Sequence, residues 1–275
     1  MVLRSTSLNL FATIIAAIVV SGSASAEIIK TGGTGAALGT LKQLGTAFEK
    51  LHPEHTVVAV PSLGSSGGIK AVQAGAIQLS VSGRDLKPEE VRTGLSAVRY
   101  GTTPFAFATH HDAPLIQLTP ASLVDVYSGK QDAWPSGRPI RLVLRPKTEG
   151  DTALLQNISP AMDVAVKTAL ERKGMAVAVT DTDSADQIEK FPNSLGTTTL
   201  ALVLSEQRQV NLLAVNNVMP SVAAISNGTY PYTKDMYAVV ANISTPGTRQ
   251  FLEFILSAKG REILSRLGHR TYFPK

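Results

Sequence analysis

What most constrains the fold of this sequence is a recurring order of short apolar run, small-residue turn and amphipathic stretch. Glu27 to Lys30 reads as a strand, and the turn Thr31-Gly32-Gly33-Thr34-Gly35 follows it. Leu38, Leu41, Leu44, Phe48 and Leu51 then recur at spacings of three and four, so they share one helix face. Pro53 stops that helix, and Thr56 to Val60 reads as the next strand. Gly64-Ser65-Ser66-Gly67-Gly68 is a second small-residue turn, leading into a helix with Ile69, Val72 and Ala76, and Gln78 to Ser82 is a third strand. Parallel strands need crossover connections, so this order predicts a parallel sheet with helices on its faces. A chain of 275 residues that is 44% hydrophobic and 17% charged has the apolar material to bury such a core and is not a disordered one.

The alternation continues. Phe105 to Thr109 reads as a strand, and Thr119-Pro120 as an N-cap with proline at the first helical position, opening a helix through Tyr127. Ile140 to Leu144 is a strand, followed by a polar loop and helices around Thr152 to Gln156 and Ala161 to Arg172. Ala176 to Thr180, Thr198 to Leu204, Asn211 to Val215 and Tyr237 to Ala241 are further strand candidates. Thr245-Pro246 opens a last helix with Phe251, Phe254, Ile255 and, after a break, Ile263 and Leu267. With no internal repeat, low-complexity segment or long linker, two similar α/β lobes that exchange strands fit better than two separate beads.

The N-terminus reads as a leader. Arg4 precedes the uncharged apolar run Leu10 to Val20, and Ser21 to Ala26 ends in Ala24-Ser25-Ala26, the small-x-small pattern of a secretory cleavage site. The run is shorter than the roughly 20 apolar residues of a spanning helix, so residues 1–26 are expected to be a signal peptide and the mature chain to begin at Glu27. The absence of cysteine excludes disulfides, thiolate metal sites, cysteine nucleophiles and a lipid-modified mature N-terminus. The net charge of +5 is scattered, without a Lys/Arg block, which argues against a nucleic-acid partner.

Three loops stand where chemistry can collect, each after a strand and at a helix start: Thr31 to Gly35, Ser62 to Gly68 and Arg145 to Thr152. A helix N-terminus offers unpaired N–H groups and the positive end of the dipole, and glycine lets an anion come close. Serine and threonine add rotatable hydroxyl donors. Arg84 and Arg145 each follow a strand, and a guanidinium grips an oxyanion through two parallel N–H donors. Each piece alone is an ordinary turn, and Arg84, beside Asp85 and Lys87-Pro88-Glu89-Glu90, also suits a solvated face. Repetition at three equivalent positions favours an oxyanion clamp.

These residues resemble a family. Thr31-Gly32-Gly33-Thr34-Gly35, Leu63-Gly64-Ser65-Ser66-Gly67-Gly68-Ile69 and Ser82-Gly83-Arg84-Asp85-Leu86 look like the first lobe of PstS-like periplasmic phosphate-binding proteins, the solute receptors of ABC importers. Val126-Tyr127-Ser128-Gly129-Lys130 with Trp134, the Arg145 loop, Asn227-Gly228-Thr229-Tyr230-Pro231 and the stretch Phe251 to Gly268 match in order. The resemblance implies an α/β type II periplasmic-binding-protein fold with a ligand cleft between its lobes. Lobe 1 is expected over 27–106 plus 234–275 and lobe 2 over 107–233. It also implies a periplasmic monomer, without enzymatic activity, cofactor or metal, that closes on inorganic phosphate or another small oxyanion and docks on an ABC permease. The implied ligand-binding set is Thr34, Gly35, Ala36, Ser65, Ser66, Gly67, Arg84, Arg145, Gly150, Asp151 and Thr152.

Two departures leave the anion open. Phosphate-selective members place an aspartate directly after the serine aligned with Ser82, where this chain has Gly83, and the second-lobe Ser-Gly-Thr reads Glu149-Gly150-Asp151. Carboxylates beside an anion site cost binding unless they pair with cations or accept protons from the ligand. Other readings are an exported anion sensor or adhesion protein and, remotely, a serine hydrolase in which Gly64 to Gly68 supplies G-x-S-x-G with Ser66, Asp181 or Asp235, and His269. For His269 a place on the C-terminal surface is the simpler expectation, and for His52-Pro53-Glu54-His55 and His110-His111-Asp112 solvated turns rather than metal ligands.

Overall fold

A computed structural model describes residues 26–113 and 115–272, so the expected leader lies outside the described residues except for Ala26. The first strand, β1 (Glu27–Gly33), leads through α1 (Gly35–Glu49) to β2 (His55–Ala59), then through α2 (Gly64–Gln73) to β3 (Leu79–Ser82). β1 pairs in parallel with β2 on one side and β3 on the other, as the alternation requires. The apolar stripe of α1, with Leu38, Leu41, Leu44 and Phe48 buried, covers one face of this sheet.

After α3 (Pro88–Arg92), the chain enters β4 (Leu95–His110), far longer than the five residues its FAFAT run suggests. Beyond it lie α4 (Pro120–Ser128), β5 (Arg141–Leu144), α5 (Gly150–Gln156), α6 (Pro160–Glu171), β6 (Ala176–Val177), α7 (Asp181–Lys190), β7 (Ser194–Thr199), α8 (Leu200–Glu206), β8 (Val210–Leu212) and α9 (Val222–Ser226). The chain returns along β9 (Thr233–Ala241) and ends in α10 (Pro246–Leu256), α11 (Ala258–Arg266) and β10 (Arg270–Thr271). Among the described residues the strand order is β2-β1-β3-β9-β4-β7-β5-β6, with β8 and β10 also on β4.

β4 joins the two halves. Its residues 95–104 pair antiparallel with β9, and Phe105 to Ala108 pair with β7. Two apolar cores lie on either side of that change of partner. One gathers Ile29, Leu41, Phe48, Met236, Phe251 and Leu264, and the other Phe105, Phe107, Tyr127, Met162, Leu195 and Tyr230. The molecule has the type II periplasmic-binding fold, two α/β lobes joined by adjacent crossing strands.

Three local expectations need correction. Thr198 to Leu204 is not one strand: β7 stops at Thr199, whose hydroxyl accepts from the Leu202 N–H and starts α8. A continuous apolar run does not by itself distinguish strand from buried helix, and the N-cap threonine decides here. Thr180 and Asp183 form a reciprocal capping box that opens α7, ten residues not anticipated as a helix. His269, expected on the surface, is fully buried, and burial pushes its imidazole down to about 3.

Candidate functional site

Three loops lead into helices whose N-cap side chain makes no capping bond, a trait shared among the described helices only by the short α3. Serine or threonine side chains cap α4, α6, α7, α8, α9, α10 and α11. No side chain caps α1, α2 or α5, the helices that follow the three loops. At α1 this is the more telling because its N-cap residue is Thr34, a good capping type. Gly33 makes the turn possible: its φ is +119°, and a Cβ there would sit 2.0 Å from the Val81 carbonyl oxygen. Thr34, thus turned away from its own helix, donates its buried hydroxyl to Asp181 Oδ2 at 2.7 Å.

That bond crosses between the lobes and ends in a buried charge cluster. Lys234 Nζ donates to Asp181 Oδ1 at 2.6 Å and to Asp151 Oδ1 at 2.5 Å. Arg145 lies 3.7 Å from each carboxylate, through NH2 toward Asp181 Oδ2 and through Nε toward Asp151 Oδ2. Its NH1 is fixed by the Ala178 carbonyl at 2.7 Å. Glu149, only partly buried, reaches Arg145 NH2 at 3.5 Å from the rim. All four central side chains are at least 95% buried. The Arg145 Nε–H and Asp151 Oδ2, although they face each other, have no hydrogen-bond partner among the described residues.

The elements explain the convergence. Arg145 follows β5 directly, Asp151 and Asp181 stand in the first turns of α5 and α7, and Lys234 sits on β9 opposite Thr103, beside the change of partner along β4. Burial works to raise the Asp181 carboxyl, but Lys234 and Arg145, with the Thr34 hydroxyl, hold it well below the usual carboxylate range. At Asp151 burial prevails, aided by the neighbouring Asp181 charge, and the carboxyl lies above its ordinary value. Lys234 is raised: burial opposes its charge, and the two aspartates more than offset that.

Of the residues singled out from sequence, Thr34, Arg145 and Asp151 meet in this cluster. Gly35 and Ala36 are buried beside it; a Cβ on Gly35 would approach Thr182 Oγ1 to 2.6 Å, so the first-lobe turn lies against the start of α7. Ser65 is adjacent, its hydroxyl accepting from the Gly83 N–H at 2.9 Å. Thr152 is turned inward and donates to the Arg145 and Pro146 carbonyls, which shapes the loop. Gly150 is exposed at the start of α5, and Gly67 is half-buried in the first turn of α2. Arg84 does not join them. Its guanidinium forks onto Glu90 with two bonds of 2.8 Å and touches Ser66 Oγ at 3.2 Å. The reason is local, because Glu90 stands in the first turn of α3 within easy reach.

Lys234 and Asp181 were not anticipated as ligand-site residues. Lys234 is the one charge amid the buried positions of β9, with Met236, Ala238, Val239 and Val240, and that pattern is its only sequence signal. It also accounts for Gly83, since a Cβ there would meet Lys234 Cε at 2.7 Å. Asp181 carried a signal that went unread, since it directly follows the N-cap threonine of the Thr180–Asp183 capping box.

The hydrolase parts are engaged separately. Ser66 accepts from Arg84, Asp181 belongs to the charge cluster, Asp235 pairs with Arg99 and Thr102, and His269 Nε2 meets Thr40 Oγ1 at 3.3 Å. Of the other histidines, His55 and His110 are less solvated than expected, whereas His111 is exposed as the expectation had it. His55 is buried against Phe48 and bonded to Gln250, and His110 is buried beside His111 and Asp112, three residues whose ligand atoms lie within 4.8 Å of one another.

A family model described as a PBP superfamily domain matches residues 19–259. The phosphate-binding protein PstS of Borreliella burgdorferi is 22% identical over 251 residues, 88% of this chain and 89% of that protein. A phosphate ABC transporter substrate-binding protein from Clostridium perfringens, solved with bound phosphate, superposes with a TM-score of 0.76 at 24% identity, covering 89% of this chain and 99% of that one. An ABC-type phosphate transport receptor from Vibrio cholerae superposes with a TM-score of 0.60 at 16% identity, covering 89% and 100%. These likenesses agree with the architecture described above.

Proposed function

The chain belongs to the PBP superfamily, and from that premise we propose that it is a solute-binding receptor for phosphate or a related small oxyanion, feeding an ABC permease. One observation carries the reading: Thr34 of lobe 1, Arg145 of lobe 2 and Lys234 on the crossing strand converge on a single oxyanion, the Asp181 carboxylate. Donors contributed by both lobes are what a receptor needs if closure and ligand capture are one event. We assign lobe 1 to 27–106 plus 234–275 and lobe 2 to 107–233, a division the two larger cores support except at Phe105, which packs in the second. Thr34, Arg145 and Lys234 form the anion grip. Ser65, Ser66 and Gly67 supply hydroxyl and amide donors from the α2 turn, Gly35 and Ala36 line the first loop, and Gly150, Asp151 and Thr152 shape the second-lobe loop. Arg84 braces α3 against the α2 turn through Glu90 and Ser66.

The protein acts by binding rather than catalysis, as a monomer exported to the periplasm. Among the described residues no helix is long and apolar enough to cross a membrane. The test is titration calorimetry of the ligand-stripped protein against phosphate, sulfate, molybdate and methylphosphonate. Saturable binding of at least one oxyanion is expected, and no heat with any of them would sink the reading.

A further inference from the structure

The cluster contains more carboxylate than an anion site has use for. Two cations, Arg145 and Lys234, face two fully buried aspartates, and Glu149 adds a third negative charge at the rim. A phosphate placed among all five would bring further negative charge into a region of low dielectric, where unpaired charge costs most. One of the carboxylates must therefore give way.

The geometry points to Asp181. Its Oδ2 takes the Thr34 hydroxyl from lobe 1 and faces Arg145 from lobe 2, while its Oδ1 takes Lys234 from the crossing strand. Among the described residues Asp151 pairs with Lys234 and Arg145 alone, and one of its oxygens has no hydrogen-bond partner there. Asp181 thus holds the donors that a bridging oxyanion would hold, whereas Asp151 lacks the Thr34 hydroxyl among its partners in the described residues. Asp181 is also the first residue of α7, so a small shift of that helix relative to α1 withdraws it. The residues on either side of it, Thr180 and Thr182, border an open groove of about 680 Å³ that Lys42, Ser62, Asp183 and Arg208 also line, so the helix start has free space next to it.

We propose that Asp181 is an internal ligand of the anion site, which an incoming oxyanion must displace, and that this exchange sets both affinity and selectivity. The inference rests on the receptor reading above. An internal competitor lowers apparent affinity in proportion to the fraction of molecules whose grip is free. It also filters ligands. A monocarboxylate offers the grip nothing that Asp181 does not already supply, whereas a tetrahedral dianion brings more charge and more acceptor oxygens.

The test compares wild type with Asp181→Ala in phosphate titrations and in thermal melts with added acetate. Losing the competitor should tighten phosphate binding by about ten- to hundredfold, the range of one or two charge-assisted contacts. Acetate should raise the melting temperature of Asp181→Ala and leave wild type unmoved, because only the variant has a carboxylate-shaped gap for it to fill. Equal or weaker phosphate binding by the folded variant overturns the inference and leaves the receptor reading intact. Acetate rescue without oxyanion binding by either protein overturns the receptor reading and keeps the internal ligand. If the variant fails to fold, a crystal structure of wild type with phosphate decides: Asp181 should have left Thr34, and a retained Thr34–Asp181 bond beside bound phosphate contradicts the proposal.

Discussion

Replacing Lys234 by methionine keeps most of the length of the side chain and deletes its charge, which makes it the sharpest probe of the buried cluster. Among the described residues Lys234 alone contacts both aspartates by hydrogen bonds, so the substitution leaves Asp151 and Asp181 to share Arg145 at 3.7 Å. Removing one partner of a buried ion pair costs about 3–5 kcal/mol, because the remaining charge is stranded away from water. For a chain of this size each kcal/mol lowers the melting temperature by about 2–4 °C, so the expected loss near pH 8 is about 6–20 °C. The pH dependence has a definite sign. Without Lys234 the carboxyls rise above their unfolded values, and a group with a raised folded pKa favours the folded state as it takes up a proton. The deficit should therefore be greatest at about pH 8 and shrink toward about pH 5, approaching the ordinary carboxylate range. Circular-dichroism melts of both proteins at the two pH values measure it. A loss below about 3 °C at the higher pH, or a larger loss at the lower one, would refute the cluster's role in stability.

Other residues give narrower tests. Thr34→Val removes one hydroxyl donor to the anion and should weaken phosphate binding by about ten- to hundredfold in calorimetry, while unchanged affinity removes Thr34 from the grip. Gly35→Val drives a side chain into Thr182 and should hold the lobes apart, read as a larger radius of gyration in small-angle scattering together with weaker anion binding. Arg84→Ala should leave phosphate affinity within about twofold and cost no more than about 1 kcal/mol, since its pair with Glu90, whose carboxyl is held down to about 2 by that guanidinium, is partly solvated. A hundredfold loss of affinity would return Arg84 to the site. His269, buried neutral with its imidazole pushed down to about 3, makes stability fall as pH drops below its unfolded value of about 6.5. His269→Gln should flatten the melting-temperature profile between those two values, and an unaltered slope assigns that acid sensitivity elsewhere.

Some of this was legible in the sequence because it rests on local rules. The alternation of β1, α1, β2, α2 and β3 follows from apolar spacing and small-residue turns, and the starts of α4 and α10 from Thr-Pro pairs. Arg145 was legible as the cation after a strand at a helix start. The start of α8 was not, since Leu200 to Leu204 is apolar throughout and carries no period that distinguishes strand from helix. The buried cluster was legible only in part. Asp151 and Asp181 are 30 positions apart in the chain and Lys234 a further 53, so only the crossing of β9 beside β4 reveals that they meet. Arg84 was equally visible as an arginine after a strand, and what the sequence did not reveal is its fork onto Glu90.

The central claim is that an oxyanion binds among donors from both lobes, with Arg145 as its fixed cation. Phosphate titrations of wild type and Arg145→Ala, run side by side with melts to confirm folding, test it most directly. The account predicts one saturable site in wild type and a loss of at least about tenfold in the variant, the effect of a single charge-assisted contact. Equal affinity in the two proteins would contradict it and place the anion elsewhere.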